Sequence, residues 1–146
     1  MGKLSDEHYT PKWFFDQLSV EFDLDVAAPE GGLSWIFTKH YFTENDNGLA
    51  QPWQGKVWMN PPYSKVTPWV DRFIEHNNGI ALLVVSKSKW FAKLWDKADA
   101  IIPWPSQAKF ERPNDLKPIS ISFQTFLFAL GDDNAKALKK MNARVR

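Results

Sequence analysis

The spacing of apolar residues changes several times along the chain, and each change marks an element. After Thr10-Pro11, the residues Trp13, Phe14 and Leu18 recur at helical spacing. That predicts a helix with Thr10 as N-cap and Pro11 at the first helical position. From Val20 the period shortens to two, with Val20, Phe22, Leu24 and Val26 alternating with Glu21, Asp23 and Asp25. This is a strand with one polar face. Residues 33–43 are apolar and aromatic, and either a strand or an irregular packed segment fits them. Glu44 to Gly48 reads as a turn, because Asn and Gly tolerate left-handed φ. Val57-Trp58-Met59 is a short apolar run cut off by Pro61-Pro62, so it predicts a strand that ends abruptly where the backbone loses its donors.

Beyond the prolines, Thr67-Pro68 repeats the capped-start signature, and Trp69, Val70, Phe73 and Ile74 form the inner face of a second helix, stopped by Asn77-Asn78-Gly79. Ile80 to Val85 is continuously apolar, the pattern of a strand covered on both faces and therefore of a mostly parallel sheet. Trp90, Phe91, Leu94, Trp95 and Ala98 mark a third helix, and Ala100 to Trp104 a further strand. Residues 105–118 read as a loop or hairpin tip. Ile119 to Leu130 predicts a long last strand, and residues 132–146 a short basic helix docked by Leu138 and Met141. The order of elements predicts an α/β fold, with a mostly parallel central sheet and a late hairpin strand.

Composition narrows the picture in three ways. At 146 residues the chain is expected to form one domain spanning 1–146. There is no cysteine, which excludes disulfides, thiolate metal sites and a thiol nucleophile. Eight Trp and eleven Phe exceed what a core of this size needs, so some rings are expected to be exposed or to line a site. A net charge of +1 neither demands nor excludes a polyanionic partner, because a basic face matters more than the sum. No run approaches the roughly 20 apolar residues of a membrane span, and Met1 to Thr10 has no leader-like apolar core. The expected location is the cytoplasm.

The candidate chemistry centres on Asn60-Pro61-Pro62-Tyr63-Ser64. Two prolines stiffen the loop, which presents an amide, backbone carbonyls freed from the sheet and a flat aromatic ring. A planar ring carrying an exocyclic amino group suits such a wall, its amino hydrogens meeting acceptors while the ring stacks on Tyr63. Asp25 falls at the carboxyl end of its strand, where ligands of open α/β sheets collect, and could hold a hydroxyl or ammonium group; the solvated side of an edge strand is the plainer reading of Asp23 and Asp25. Lys87, Lys89, Lys93 and Lys97 fit a phosphate-binding face or an ordinary solvated surface.

Asn60-Pro61-Pro62-Tyr63 resembles the amino-methyltransferase tetrapeptide. Preceded by Tyr9-Thr10-Pro11, Asp23-Leu24-Asp25-Val26-Ala27-Ala28, Glu44-Asn45-Asp46-Asn47-Gly48-Leu49 and Trp53-Gln54-Gly55, it makes the chain similar to the compact phage and prophage DNA adenine-N6 methyltransferase (Dam-like) family over roughly residues 8 to 130. The resemblance implies a compact Rossmann-like fold, S-adenosylmethionine as methyl donor without a metal, and double-stranded DNA as partner. It implies catalytic roles for Asn60, Pro61, Pro62 and Tyr63. Cofactor binding would fall to Thr10, Pro11, Asp25, Ala27, Ala28, Asp46 and Asn60, although Thr10 also suits a cap and Asp46 an Asx turn. Ser64, Lys87, Lys89, Lys109 and Arg112 are the candidates for DNA contact. In one respect the chain departs from larger methyltransferases: their glycine-rich loop is missing, leaving small Ala27 and Ala28 to permit close approach, while Gly31-Gly32 comes late. The absence of cysteine excludes the thiol chemistry of cytosine-C5 transfer. Cytosine N4, RNA and protein glutamine stay open as other planar acceptors, as does a non-enzymatic nucleic-acid-binding module.

Overall fold

Side chains that alternate along the central strands bury two separate apolar faces, and helices cover both. The computed structural model describes residues 10–32, 38–104 and 124–145. Lys109 and Arg112, the segment 33–37 and the start of the expected last strand lie outside the described residues. The elements in chain order are α1 (Lys12–Leu18), β1 (Phe22–Asp25), β2 (Thr38–Tyr41), β3 (Val57–Met59), α2 (Val66–His76), β4 (Gly79–Val84), α3 (Lys89–Lys97), β5 (Ala100–Pro103), β6 (Thr125–Leu130) and α4 (Asp132–Val145).

The strands lie in the order β2-β1-β3-β4-β6-β5. β2, β1, β3 and β4 pair in parallel, whereas β6 is antiparallel to both β4 and β5. The sheet is therefore mixed, with the last strand slotted between two earlier ones. On one face Trp58, Ile80, Leu82, Leu127 and Ala129 meet α1 and α4; on the other Val57, Met59, Ala81, Leu83, Phe128 and Leu130 meet α2 and α3. Ile80 to Leu83 are fully buried, so the unbroken apolar run of β4 reflects cover on both sides. α4 contributes Ala135, Leu138 and Met141 at helical spacing to the α1 face.

Two helix starts differ from expectation. α1 begins at Lys12, with Pro11 (φ −72°, ψ 156°) in the N-cap position and no capping side chain among the described residues, so Thr10 is not the N-cap and Pro11 is not yet helical. α2 begins at Val66 after the 3-10 turn Tyr63–Lys65, with Lys65 as its N-cap. That turn runs straight into the helix and moves its start ahead of Thr67. Pro68 then occupies the first helical turn, where its missing N–H has no intrahelical acceptor to lose. Of the undecided stretch 33–43, the part Thr38–Tyr41 is an edge strand. Among the described residues no helix is long and apolar enough to cross a membrane.

Leu82 sits at the middle of β4, fully buried beneath α1 and α4. Leu82→Ala is expected to lower the unfolding free energy by about 2–5 kcal/mol in urea titrations, through lost transfer energy and a residual cavity. A loss under about 1 kcal/mol would contradict this packing.

Candidate active site

The β1–β3 junction decides which of the two aspartates of β1 faces the interior. The amides of Asp23 and Leu24 both donate to the Lys56 carbonyl, at 2.8 and 3.3 Å, so the strand slips one step as a bulge does. Phe22 consequently joins the α1 face while Leu24 joins the α2 face. Asp23 is spent on structure: its carboxylate accepts from the Lys56 amide at 2.8 Å and pairs with Lys39 at 3.2 Å. Those partners, the Lys56 amide first, hold its pKa below the usual value. Gly55 (φ +73°) makes room for this, since a Cβ there would lie 2.2 Å from the Asp23 carboxylate. Asp25 is in register with Trp58 and is only 2% exposed. Its Oδ1 accepts from the Ala27 amide at 3.2 Å. Burial pushes the Asp25 carboxyl up to about 7, the Ala27 bond opposing the shift.

Trp58, beside Asp25, anchors α1. Phe14 and Phe15 meet its ring at centroid distances of 5.5 and 5.0 Å. Trp13 and Phe14 also meet Trp104, just beyond the carboxyl end of β5, at 5.9 and 5.2 Å. The helix therefore runs from the carboxyl-end rim of the sheet down to the start of β1. Thr10 and Pro11, both buried, lie at its upper end.

On the neighbouring strand, Asn60 follows Met59 directly and is half-buried, Pro61 is buried, and Tyr63 opens a 3-10 turn. The Tyr63 hydroxyl lies 3.3 Å from both Asn60 Oδ1 and the Leu82 carbonyl. One phenolic proton is thus shared between two acceptors, which ties Tyr63 to both Asn60 and β4. The same contacts fix the tyrosine ring before any ligand arrives. Ser64 in the 3-10 turn after β3, Lys87 in the loop after β4 and Lys89 at the first position of α3 are all exposed.

Asp46 behaves as a capping residue. Its Oδ2 accepts from the Thr43 amide at 2.8 Å and the Thr43 hydroxyl at 3.1 Å, closing a capping box on the 3-10 turn Glu44–Asp46. The Ala28 amide donates to the Phe42 carbonyl, tying the loop after β1 to the end of β2. Sequence reading missed Lys65, exposed one residue after Ser64, and Arg72 on α2, whose donors go to backbone carbonyls of the loop before β3. A basic residue in the middle of a helix carries no local signal of such a tertiary bond. A cleft of about 750 Å³ between β2 and residues 52–55 is lined by Lys39, His40, Tyr41 and Gln54 but by neither Asp25 nor Asn60. Among the described residues no cluster of His, Cys, Asp or Glu is arranged to hold a metal ion.

A mixed α/β sheet sandwiched by helices, with a buried carboxyl and a proline-stiffened amide at the carboxyl ends of paired strands, is compatible with the methyltransferase class. The family model described as DNA N-6-adenine-methyltransferase (Dam) matches residues 2–112, and the chain belongs to that family. It is 38% identical over 93 residues to the DNA N-6-adenine-methyltransferase of Haemophilus phage HP1 (strain HP1c1), an alignment covering 56% of this chain and 52% of that protein. With the DNA N-6-adenine-methyltransferase of Escherichia phage T1 it shares 34% identity over 90 residues, covering 56% of this chain and 36% of that protein. The chain thus spans about half the length of the first relative and about a third of the second.

The raised Asp25 pKa has a definite sign. With a folded value of about 7 against 3.8 ordinarily, the folded state binds more protons than the unfolded state between those limits. Stability is therefore lost as pH rises through that window, and the loss is complete above it. Asp25→Asn removes the titration, so the melting temperature of the variant relative to the parent should climb between pH 4 and pH 8. A difference that stays flat across that range would show that the carboxyl is not desolvated.

Proposed function

We propose that the chain transfers a methyl group from S-adenosylmethionine to the exocyclic N6 of an adenine extruded from double-stranded DNA, on a compact Rossmann-like fold. The observation that carries this is the pairing of β1 with β3, which sets buried Asp25 beside the strand that ends in Asn60-Pro61-Pro62-Tyr63, in a chain of the Dam family. The residues present suit the donor. A buried carboxylate with a single hydrogen bond among the described residues is complementary to a cationic or hydroxyl-bearing ligand, and the small side chains of Ala27 and Ala28 let that ligand approach the backbone. Thr10, Pro11 and Asp46 would complete the wall. When bound, S-adenosylmethionine supplies an activated methyl on a sulfonium, so no strong base is needed.

The chain's own task is to make a poor nucleophile reactive. The adenine amino lone pair is delocalised into the ring. Acceptance of its two hydrogens by Asn60 Oδ1 and the Pro61 carbonyl draws the nitrogen toward tetrahedral geometry and orients its lone pair. Stacking on Tyr63, worth about 1–3 kcal/mol, offsets the few kcal/mol of extrusion. Charge is divided in a way that supports this reading: the segments that follow β1 and β2 carry Glu30, Glu44 and Asp46, whereas the turn after β3, the loop after β4 and the start of α3 carry Lys65, Lys87 and Lys89. An acidic side suits a cationic donor, and a basic side suits phosphates. Ser64 adds a hydroxyl at that basic side.

Incubation of the chain with labelled S-adenosylmethionine and duplex DNA, followed by digestion to nucleosides, should yield N6-methyl-2′-deoxyadenosine as the labelled product. Label in N4-methyl-2′-deoxycytidine, or in RNA or protein glutamine in parallel incubations with those acceptors, would move the substrate to another planar amine or amide, and failure to bind S-adenosylmethionine would favour a non-enzymatic binding module. Asn60→Ala should lower turnover by about 10²–10³-fold, the usual scale for losing one preorganised polar group, while calorimetric cofactor affinity stays near that of the parent. Near-parental turnover in that variant would remove the amine-polarising role.

A further inference from the structure

The segment from Thr43 to Gly55 has little regular structure beyond two 3-10 turns, yet it forms the outer support of the Asp25–Ala28 loop. Gly48 is pressed against that loop: a Cβ there would stand 2.2 Å from the Val26 carbonyl oxygen and 3.1 Å from the Trp69 ring. Arg72 on α2 holds the segment in place. Its guanidinium donates to the Leu49 carbonyl at 2.6 Å and to the Gln51 carbonyl at 2.7 Å. It also lies 4.7 Å over the Trp53 ring, whose indole N–H donates to the Gly48 carbonyl at 2.9 Å. The Gln51 side chain in turn donates to the Asp46 carbonyl at 2.8 Å. Because α2 follows the turn that begins at Tyr63, one side chain connects the helix behind the catalytic loop to the wall behind Val26–Ala28.

We propose that Arg72 is a positioning residue for cofactor capture: it touches no ligand, but it clamps the Gly48–Gln51 wall against the Val26–Ala28 loop so that the Asp25 pocket is shaped in advance. This rests on the reading of that pocket as the S-adenosylmethionine site. Two carbonyls approached by one planar fork under an aromatic face are a geometry that a lysine cannot reproduce, since an ammonium is a point charge without the fork. Leaving both carbonyls without their charged donor frees the wall to shift, which weakens ligand binding by raising the ordering cost.

The test measures S-adenosylmethionine affinity by calorimetry for the full chain and for Arg72→Lys and Arg72→Ala, with melting temperature and DNA methylation in parallel. Both variants should bind the cofactor about tenfold more weakly, the size of one lost charge-assisted contact. Turnover at saturating cofactor and the KM for DNA should stay within about twofold, because the base-facing loop is untouched. Millimolar guanidinium ion should restore affinity in Arg72→Ala and not in Arg72→Lys, where the cavity stays filled. Should Arg72→Ala fail to fold, Arg72→Lys carries the comparison. A fall in melting temperature with unchanged cofactor affinity would make Arg72 merely structural and overturn the proposal. No binding by the parent chain would instead sink the assignment of the pocket.

Discussion

The register of β1 on β3 is the constraint on which the rest of the molecule depends. Leu24 faces Val57 and Asp25 faces Trp58, so the two strands end side by side. The shared acceptor at Lys56 sets that register, and the Asp23 carboxylate locks it by taking the Lys56 amide. A slip of one residue would exchange the faces of every side chain in β1. Asp25 would then leave the α1 face, and Leu24 would be driven against Trp58. The aromatic cluster of Phe14, Phe15, Phe22 and Trp58 resists this, because its rings interlock at centroid distances between 5.0 and 6.4 Å.

Much of this was legible in the chain because the signals were local. A strand ending at a double proline needs only the missing donors to be recognised, and β3 stops at Met59 as that reasoning requires. The continuous apolar run of β4 and the Leu138–Met141 stripe of α4 likewise report burial directly. What escaped was tertiary. Strict alternation put Asp23 and Asp25 on one polar face, but the bulge separated them, and only pairing with Lys56 could reveal it. The insertion of β6 between β4 and β5 is a matter of strand order, which periodicity does not encode. Both capped-start signatures were displaced, in opposite directions: Pro11 stands one step before α1 as its N-cap, whereas Thr67-Pro68 lies inside the first turn of α2. For the candidate site, the order of motifs singled out Asn60 and Tyr63 as candidates, while their mutual contact and the tie of Tyr63 to the Leu82 carbonyl required the fold.

The site combines rigidity with an electrostatic cost. Prolines, the Tyr63 contacts and the capping box of Asp46 fix the walls, so little conformational entropy remains to be lost on binding. Asp25 is the exception, a carboxyl kept from water that among the described residues accepts from one amide. A buried group of that kind weakens the empty protein and gains most when an opposite charge arrives. Strain of this sort, kept where a cationic ligand would relieve it, is typical of sites rather than of cores.

The most direct measurement is a crystal structure of the chain with S-adenosylmethionine or a stable analogue bound. Ligand density is expected at the carboxyl ends of β1 and β3, in contact with Asp25 and with the methyl-bearing sulfur turned toward Asn60. Density in the cleft between β2 and residues 52–55, with Asp25 and Asn60 untouched, would contradict it.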